Sequence, residues 1–518
     1  MKDYSCDSIR NICLLGHGNA GKTTLVEAML NIIGATDRFG SVVDGNTVMD
    51  YDPEEIKRKF SISTSFAPIE WKDVKINVID TPGYLDFVGE MLEGLSVADG
   101  AVILVGGKDG IQVGTEKAWY EVNKKHLARL FVITKLDEEN ADFAKVYHGL
   151  REKFGNSVIA LQLPIIEDGK VKGIIDIPHM KALFYNGKEI TEGEIPAQYM
   201  SEVEEYKDNV FEAIAETDEE LMEKYFSGEA FTEDEINKGI NNGTRAGDIA
   251  PVLCVSSMQK AGVAQLMDAA VNYMPAHCSK EKAKVLDVSS KEPIEITVGE
   301  KEPVVVQVFK TIADPFVGKI SFLKVITGTL TADNSIYNVN KEKSEKISSI
   351  FTMKGKQQIP LNKLVTGDIG AVAKLSSTDT NDTLADKERQ VLVEPIEFPE
   401  PMLGMAIAPK AKGDEDKIGI GLSRLLEEDL TFKMILNTET KQTIVYGVGD
   451  QHLDLLTSKL KNKYKVEVEL TNPIIPYRET IKKKVKVEGK HKKQSGGHGQ
   501  FGDIWVEFEP GPTEALVF

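Results

Sequence analysis

The sequence predicts a multidomain chain: an α/β domain on a mostly parallel sheet with an inserted subdomain, a small antiparallel β-barrel, a small α/β sandwich and part of a fourth α/β unit. Three observations carry this. Across residues 1–280, short apolar strands alternate with helical patterns, as strand–helix–strand crossovers require. Residues 295–394 are instead rich in Val, Ile and Thr, with turns at Asp314-Pro315, Gly328, Asp333-Asn334 and Gly367-Asp368, the spacing of a small barrel. Residues 398–475 return to a β-α-β-type order. A chain of 518 residues cannot bury itself around one core, so roughly three to five domains are expected.

In the first domain, residues 10–17 read as a buried strand (Ile12, Cys13, Leu14, Leu15) ending in glycine. A helical pattern starts at Lys22 and carries Leu25, Val26, Met29 and Leu30. Further strands are expected at Ile76–Ile79, Ala101–Val105, Leu130–Ile133 and Val252–Val255. Residues from about 156 to 245 interrupt the alternation with the acidic stretch Glu189–Glu235 and helical patterning around Val203–Ile214, which reads as an inserted subdomain. In 398–475, a strand at Leu403–Ala408 precedes a helix bearing Ile418, Leu422, Leu425 and Leu426. A strand at Thr443–Tyr446 and a helix at Gln451–Lys461 follow. Residues 478–518 begin a fourth unit, and the natural chain is expected to continue beyond Phe518.

Composition narrows the class. Hydrophobic residues make up 41% and charged residues 28%, as in ordinary globular proteins. No run of 18 or more apolar residues predicts a membrane span, and the N-terminus lacks a signal-peptide layout. Cys6, Cys13, Cys254 and Cys278 form no CxxC pair and read as reduced thiols of a cytoplasmic protein. The net charge of −19 argues against nucleic-acid binding over the whole surface, but Lys482-Lys483-Lys484, Lys486, Lys490, Lys492 and Lys493 form a local basic run.

The chemistry sits in four motifs. Gly16-His17-Gly18-Asn19-Ala20-Gly21-Lys22-Thr23, followed by Thr24, matches GxxxxGK[ST] between a strand and a helix. The amides of such a loop hold phosphate oxygens, the lysine reaches the β- and γ-phosphates, and the Thr23 hydroxyl ligates Mg²⁺. Asp80-Thr81-Pro82-Gly83 follows a strand. Its carboxylate suits Mg²⁺ behind the first ligands, and its glycine lets an amide approach a γ-phosphate. Thr134-Lys135-Leu136-Asp137 resembles the guanine-reading [NT]KxD pattern: Asp137 accepts from guanine N1 and N2, and the Lys135 stem lies on the ring. Adenine lacks those donors, and an unpaired buried carboxylate is costly. Cys254-Val255-Ser256-Ser257 ends a strand where backbone amides read O6. DxxG or the serine pair alone says little, but in this order the motifs specify GTP and GDP with Mg²⁺ over adenine nucleotides.

These motifs, with Leu163-Pro164-Ile165, Asp314-Pro315-Phe316-Val317-Gly318-Lys319, Gly447-Val448-Gly449-Asp450-Gln451-His452-Leu453 and Gln494-Ser495-Gly496-Gly497-His498-Gly499-Gln500-Phe501-Gly502, resemble elongation factor G over essentially the whole length. The resemblance implies a GTP-binding domain with an insert, a β-barrel, a ferredoxin-like third domain and the start of a fourth. It implies a cytoplasmic GTP hydrolase stimulated by the ribosome, monomeric and without membrane contact. Translocation of tRNA and mRNA is the leading output. The insert resembles the subdomain that meets the ribosomal stalk protein. The loop Gln494–Gly502 matches the fourth-domain tip that meets rRNA at the decoding region.

Four departures from the family pattern bear on nucleotide binding and catalysis. Tyr84 follows Gly83 where the family has a water-positioning His. A phenol with an ordinary pKa near 10 is a poor base, yet its hydroxyl can orient water. The first switch reads Arg58-Lys59-Phe60-Ser61-Ile62, which puts Ser61 in place of the threonine that closes on Mg²⁺ and the γ-phosphate. Asn19 replaces an Asp, and Thr134 replaces an Asn whose amide braces the phosphate loop, so weaker nucleotide binding is expected. Together with Asp50-Tyr51-Asp52-Pro53-Glu54-Glu55-Ile56-Lys57-Arg58, these changes mark a divergent paralogue. Lys22, Gly83 and Tyr84 are the candidate catalytic residues, and Thr23, Ser61 and Asp80 the metal set. Rescue, recycling or drug protection at the ribosome is an alternative, as is a GTP-dependent ribosome-binding module with little hydrolysis.

Overall fold

The computed structural model describes residues 1–511 except 187–188, 315–316, 412 and 478, without the side chains of Asn186, Ser495 and His498. Pro315 and Phe316 of the barrel motif therefore lie outside the described residues. The chain divides into two compact units: Met1–Leu403 with Pro409–Lys433 and Tyr446–Glu469, and Gly404–Ala408 with Met434–Val445 and Leu470–Phe518.

The first unit opens with β1 (Ile9–Gly16), α1 (Lys22–Ile32), α2 (Pro53–Arg58), β2 (Ser65–Trp71), β3 (Val74–Asp80), α3 (Val88–Val97), β4 (Gly100–Gly106), α4 (Val113–Lys124), β5 (Ala128–Thr134), α5 (Phe143–Phe154) and β6 (Val158–Ala160). An insert follows: β7 (Gln162–Glu167), β8 (Lys170–Asp176), β9 (Lys181–Asn186), β10 (Glu189–Gly193), α6 (Met200–Ala215), α7 (Glu219–Ser227) and α8 (Glu233–Ala246). The chain then returns through β11 (Ala250–Cys254) and α9 (Val263–Tyr273).

Seven strands form one sheet in the order β2-β3-β1-β4-β5-β11-β6, parallel except for the β2/β3 pair. The central strands β1, β4 and β5 are buried on both faces, which is why they read as unbroken apolar runs. Strand order reverses around β1, so its carboxyl end opens a crevice for a ligand. Two features of the insert differ from expectation. Val158–Ala160 pairs with β11 and belongs to the main sheet, because three residues are too few to carry a pattern. The insert also holds a four-stranded sheet, β10-β9-β8-β7, where only helices were legible.

Thirteen further strands lie between Lys282 and Leu392. Eight of them form one antiparallel sheet that curls into the barrel. A small sheet of Lys282–Asp287, Pro293–Thr297 and Val391–Leu392 extends this unit before residue 295. The barrel meets the nucleotide domain through buried ions. Lys75 on β3 lies 2.7 Å from Asp368, and Lys310 bonds Glu90 and Glu93 on α3. Helices α10 (Glu415–Glu428) and α11 (Asp450–Tyr464) also belong to the first unit.

The second unit contains strands in the order Lys433–Asn437, Gln442–Gly447, Leu403–Pro409 and Val468–Thr471. With α10 and α11 between them in sequence, this is the ferredoxin-like β-α-β-β-α-β order. A long hairpin pairs Val485–Ser495 with His498–Phe508, turned by Gly496 (φ 64°) and Gly497 (φ 85°). A two-residue turn with both φ angles positive matches the twist of such a ribbon, and glycine adopts it without strain.

Candidate nucleotide-binding site

Strand β1 delivers the chain to Gly16, and α1 leaves at Lys22. The loop between them turns through Asn19 (φ 66°) and Gly21 (φ 94°), both left-handed. No side chain caps the first amides of α1, an arrangement that favours an anion at the helix start. Ala20 and Thr23 are buried, and Thr24 sits in the first helical turn. His17 is fixed from outside, its Nδ1 accepting the Gly114 amide at 3.2 Å. Lys22 is buried, with Nζ donating to the Gly16 and His17 carbonyls at 3.0 Å each. Burial lowers its ammonium to about 8, against the pull of Asp80.

The loop after β3 closes on this cradle. Thr81 anchors it by donating to the Leu14 carbonyl at 2.6 Å. A Cβ on Gly83 would lie 2.5 Å from Lys22 Nζ, 2.6 Å from the Gly18 amide nitrogen and 2.7 Å from the His17 carbonyl carbon, so no larger residue fits. The Tyr84 ring lies over Gly18, where a Cβ would come within 3.2 Å of it. On its other side is Phe60, with ring centroids 4.5 Å apart. Tyr84 thus packs against both the phosphate loop and Phe60 of the first switch.

Three separate segments bring the predicted metal set together. The Thr23 hydroxyl donates to Asp80 Oδ2 at 2.8 Å and lies 3.0 Å from Ser61 Oγ. Asp80 Oδ1 is buried and has no partner among the described residues, and the same is true of Asp50 Oδ2. Burial and then the nearby Asp50 push Asp80 up to about 7, and burial raises Asp50 despite the Ser61 hydroxyl. Two buried carboxylates with open oxygens, beside two hydroxyls, suit a hard divalent cation that takes oxygen ligands. Among the described residues no three acidic, His or Cys side chains gather to hold a metal. Asp50 was not singled out by sequence, because a lone loop aspartate carries no spacing signal and only its burial marks it.

At the far end of the crevice, Ser256 Oγ donates to Asp137 Oδ1 at 2.6 Å. The Ser256 amide is itself bonded to the Ala261 carbonyl at 3.0 Å, so Ser256 orients Asp137 rather than offering its N–H to a base. Ser257 follows it, buried. Lys135 adopts φ 59° and pairs with Glu138 at 3.2 Å. Thr134 departs from expectation: its hydroxyl donates to the Ala20 carbonyl at 2.7 Å, so the phosphate loop keeps its brace.

The first switch is tied on two sides. Asp52 caps α2 in a capping box with Glu55. Glu54 accepts from Ser458 Oγ at 2.6 Å and Asn462 Nδ2 at 2.7 Å, both on α11, and Arg58 reaches Asp454 at 2.6 Å. On the barrel side, Glu90 accepts from the Thr64 amide at 2.6 Å and also holds Lys310.

A glycine loop over a buried lysine at the carboxyl edge of a parallel sheet, with a DxxG turn pressed against it, defines a phosphate-binding-loop nucleotide switch. Residues 7–276 match the model of the elongation factor Tu GTP binding domain. Residues 303–387, 398–472 and 473–518 match elongation factor G domain 2, domain III and domain IV. The chain therefore belongs to the elongation factor G-like translational GTPases. It is similar to the crystal structure of ttk003000868 from Thermus thermophilus, with 34% identity and a TM-score of 0.86 over 98% of this chain and 74% of that one. Among the described residues no helix is long and apolar enough to cross a membrane.

Proposed function

We propose that this chain hydrolyses GTP on the ribosome and acts as a translation elongation factor, or a divergent paralogue of one, that moves tRNA and mRNA. The convergence of Thr23, Ser61 and Asp80 from three segments, with Gly83 pressed against Lys22, carries this reading. In it, Lys22 and the backbone from His17 to Thr24 hold the phosphates. Thr23 and Ser61 would hold Mg²⁺, with Asp80 and Asp50 behind them, and the ion when bound would supply charge neutralisation at the phosphates. Asp137, held by Ser256, accepts from guanine N1 and N2. The Lys135 stem covers the ring, Thr134 steadies the loop, and the Ser257 amide meets O6. Tyr84, braced between Gly18 and Phe60, orients the attacking water through its hydroxyl.

The same reading places the protein in the cytoplasm as a monomer. The insert meets the stalk protein, and the hairpin tip at Gln494–Gly502 meets rRNA. A second reading is favoured by Tyr84 alone: a GTP-dependent ribosome-binding module with little hydrolysis. Phosphate release over many turnovers, with and without ribosomes and with GTP against ATP, separates the two. Ribosome-stimulated release specific to GTP supports hydrolysis, and tight GTP-dependent binding without release supports the module. Translocation and recycling assays run side by side then assign the output, and failure to prefer guanine nucleotides would sink both readings.

A further inference from the structure

Glu55 lies in the segment Asp50–Arg58, and the proposed chemistry gives it no role. Its side chain is 1% exposed. Oε1 accepts two successive amides, Ile62 and Ser63, each at 3.0 Å, while Oε2 accepts the Asp52 amide at 3.1 Å. One buried carboxylate thus fastens both the start of α2 and the backbone immediately after Ser61. The chain between is forced through a left-handed turn at Lys59 (φ 60°), whose amide closes on the Glu55 carbonyl at 2.7 Å. Ser61 is therefore clamped between a turn and two amides that both end on Glu55, and its hydroxyl sits 3.0 Å from Thr23 Oγ1.

Hydrogen bonds shielded from water are stronger than exposed ones, and an ordered loop loses less freedom when a ligand closes on it. We infer that Glu55 is the positioning residue that sets Ser61 for the triphosphate, and so gives the site its preference for GTP over GDP. This rests on the nucleotide reading above. It extends that reading from residues that touch the ligand to one that acts only through Ser61.

The test is calorimetric binding of guanosine 5′-(β,γ-imido)triphosphate and of GDP, with magnesium, to the parent, Glu55→Gln, Ser61→Ala and the double variant. The carboxamide keeps the size of the side chain but has one acceptor oxygen instead of two, so it cannot accept from the Asp52 amide and from the Ile62 and Ser63 amides together. Glu55→Gln is expected to weaken the triphosphate analogue by about tenfold and to leave GDP within about twofold. That loss should vanish in the Ser61→Ala background, because coupled residues are non-additive. Equal weakening of both nucleotides, no weakening of the analogue, or additive effects would overturn the assignment. Hydrogen exchange on the parent gives a measurement that needs no variant: the Ile62 and Ser63 amides should be more protected with the analogue than with GDP, and equal protection counts against the idea. If the parent binds neither nucleotide, the nucleotide reading itself fails. If the parent binds both and Glu55→Gln changes nothing, only this inference does.

Discussion

Gly83 shows how little room the site leaves at the scale of one residue. Its missing side chain is what lets the DxxG turn reach Lys22 and the phosphate loop together. Gly83→Ala must move backbone, since two of the three clashing atoms are main-chain. We expect single-turnover GTP hydrolysis to fall about a hundredfold, the scale of an ångström-sized misplacement, with the protein still folded by circular dichroism. Tyr84 invites the opposite change. Its ring is fixed by Gly18 and Phe60 but lacks an efficient base, so Tyr84→His should raise ribosome-stimulated hydrolysis by at least about tenfold. An unchanged single-turnover rate would show that the tyrosine costs nothing. Thr134→Val removes a hydroxyl bonded to the Ala20 carbonyl and should weaken GDP binding about five- to tenfold by calorimetry.

At the scale of elements, α2 is the short helix on which the switch depends. Its sequence explains its existence: an Asp52 cap, Pro53 in the first turn, two glutamates near the start, and Lys57 with Arg58 at the end. Six residues cannot hold a helix in isolation, so contacts on either face sustain it. Glu54 carries the outward contact to Ser458 and Asn462, while Arg58 bridges Glu54 and Asp454. Glu54→Ala should raise amide exchange along α11 by about tenfold in hydrogen-exchange mass spectrometry, and an unaltered profile would show the contact to be idle. Before the structure, this region reads only as a segment that marks a divergent paralogue. Glu54 and Glu55 are adjacent and identical in type, and nothing local tells which faces α11 and which is buried under the switch.

At the scale of the molecule, buried ions join the nucleotide domain to the barrel. Lys310, 2% exposed, lies between Glu90 and Glu93. Burial alone would lower its ammonium, but the two carboxylates outweigh that and hold it above its ordinary value. Lys310→Met leaves Glu90 and Glu93 without their shared cation and should destabilise the first unit by about 3–5 kcal/mol in denaturant unfolding. A pH dependence follows from Asp429. Burial opposes its ionisation, yet the His452 hydrogen bond at 2.8 Å and the His452 charge bring the carboxyl down to about 2 from 3.8. A depressed carboxylate contributes stability above its unfolded value, and the contribution is lost as pH falls through the folded one. The melting temperatures of the parent and Asp429→Asn should therefore differ at neutral pH and converge as pH drops from about 5 to about 1.

Local chemistry alone determined the strands of the main sheet and the glycine turns of the phosphate loop and the DxxG segment. Each is specified by short-range rules: apolar runs for strands buried on both faces, and glycine where φ is positive or backbone must pass closely. Only the tertiary structure decided the rest. Asp50 lies buried near Asp80, Ser256 donates its hydroxyl to Asp137, Thr134 bonds the phosphate loop, and Val158–Ala160 enters the main sheet. In each case the deciding partner is far away in sequence. Burial and the pairing of polar groups depend on what the folded chain brings alongside, and no window of neighbouring residues carries that.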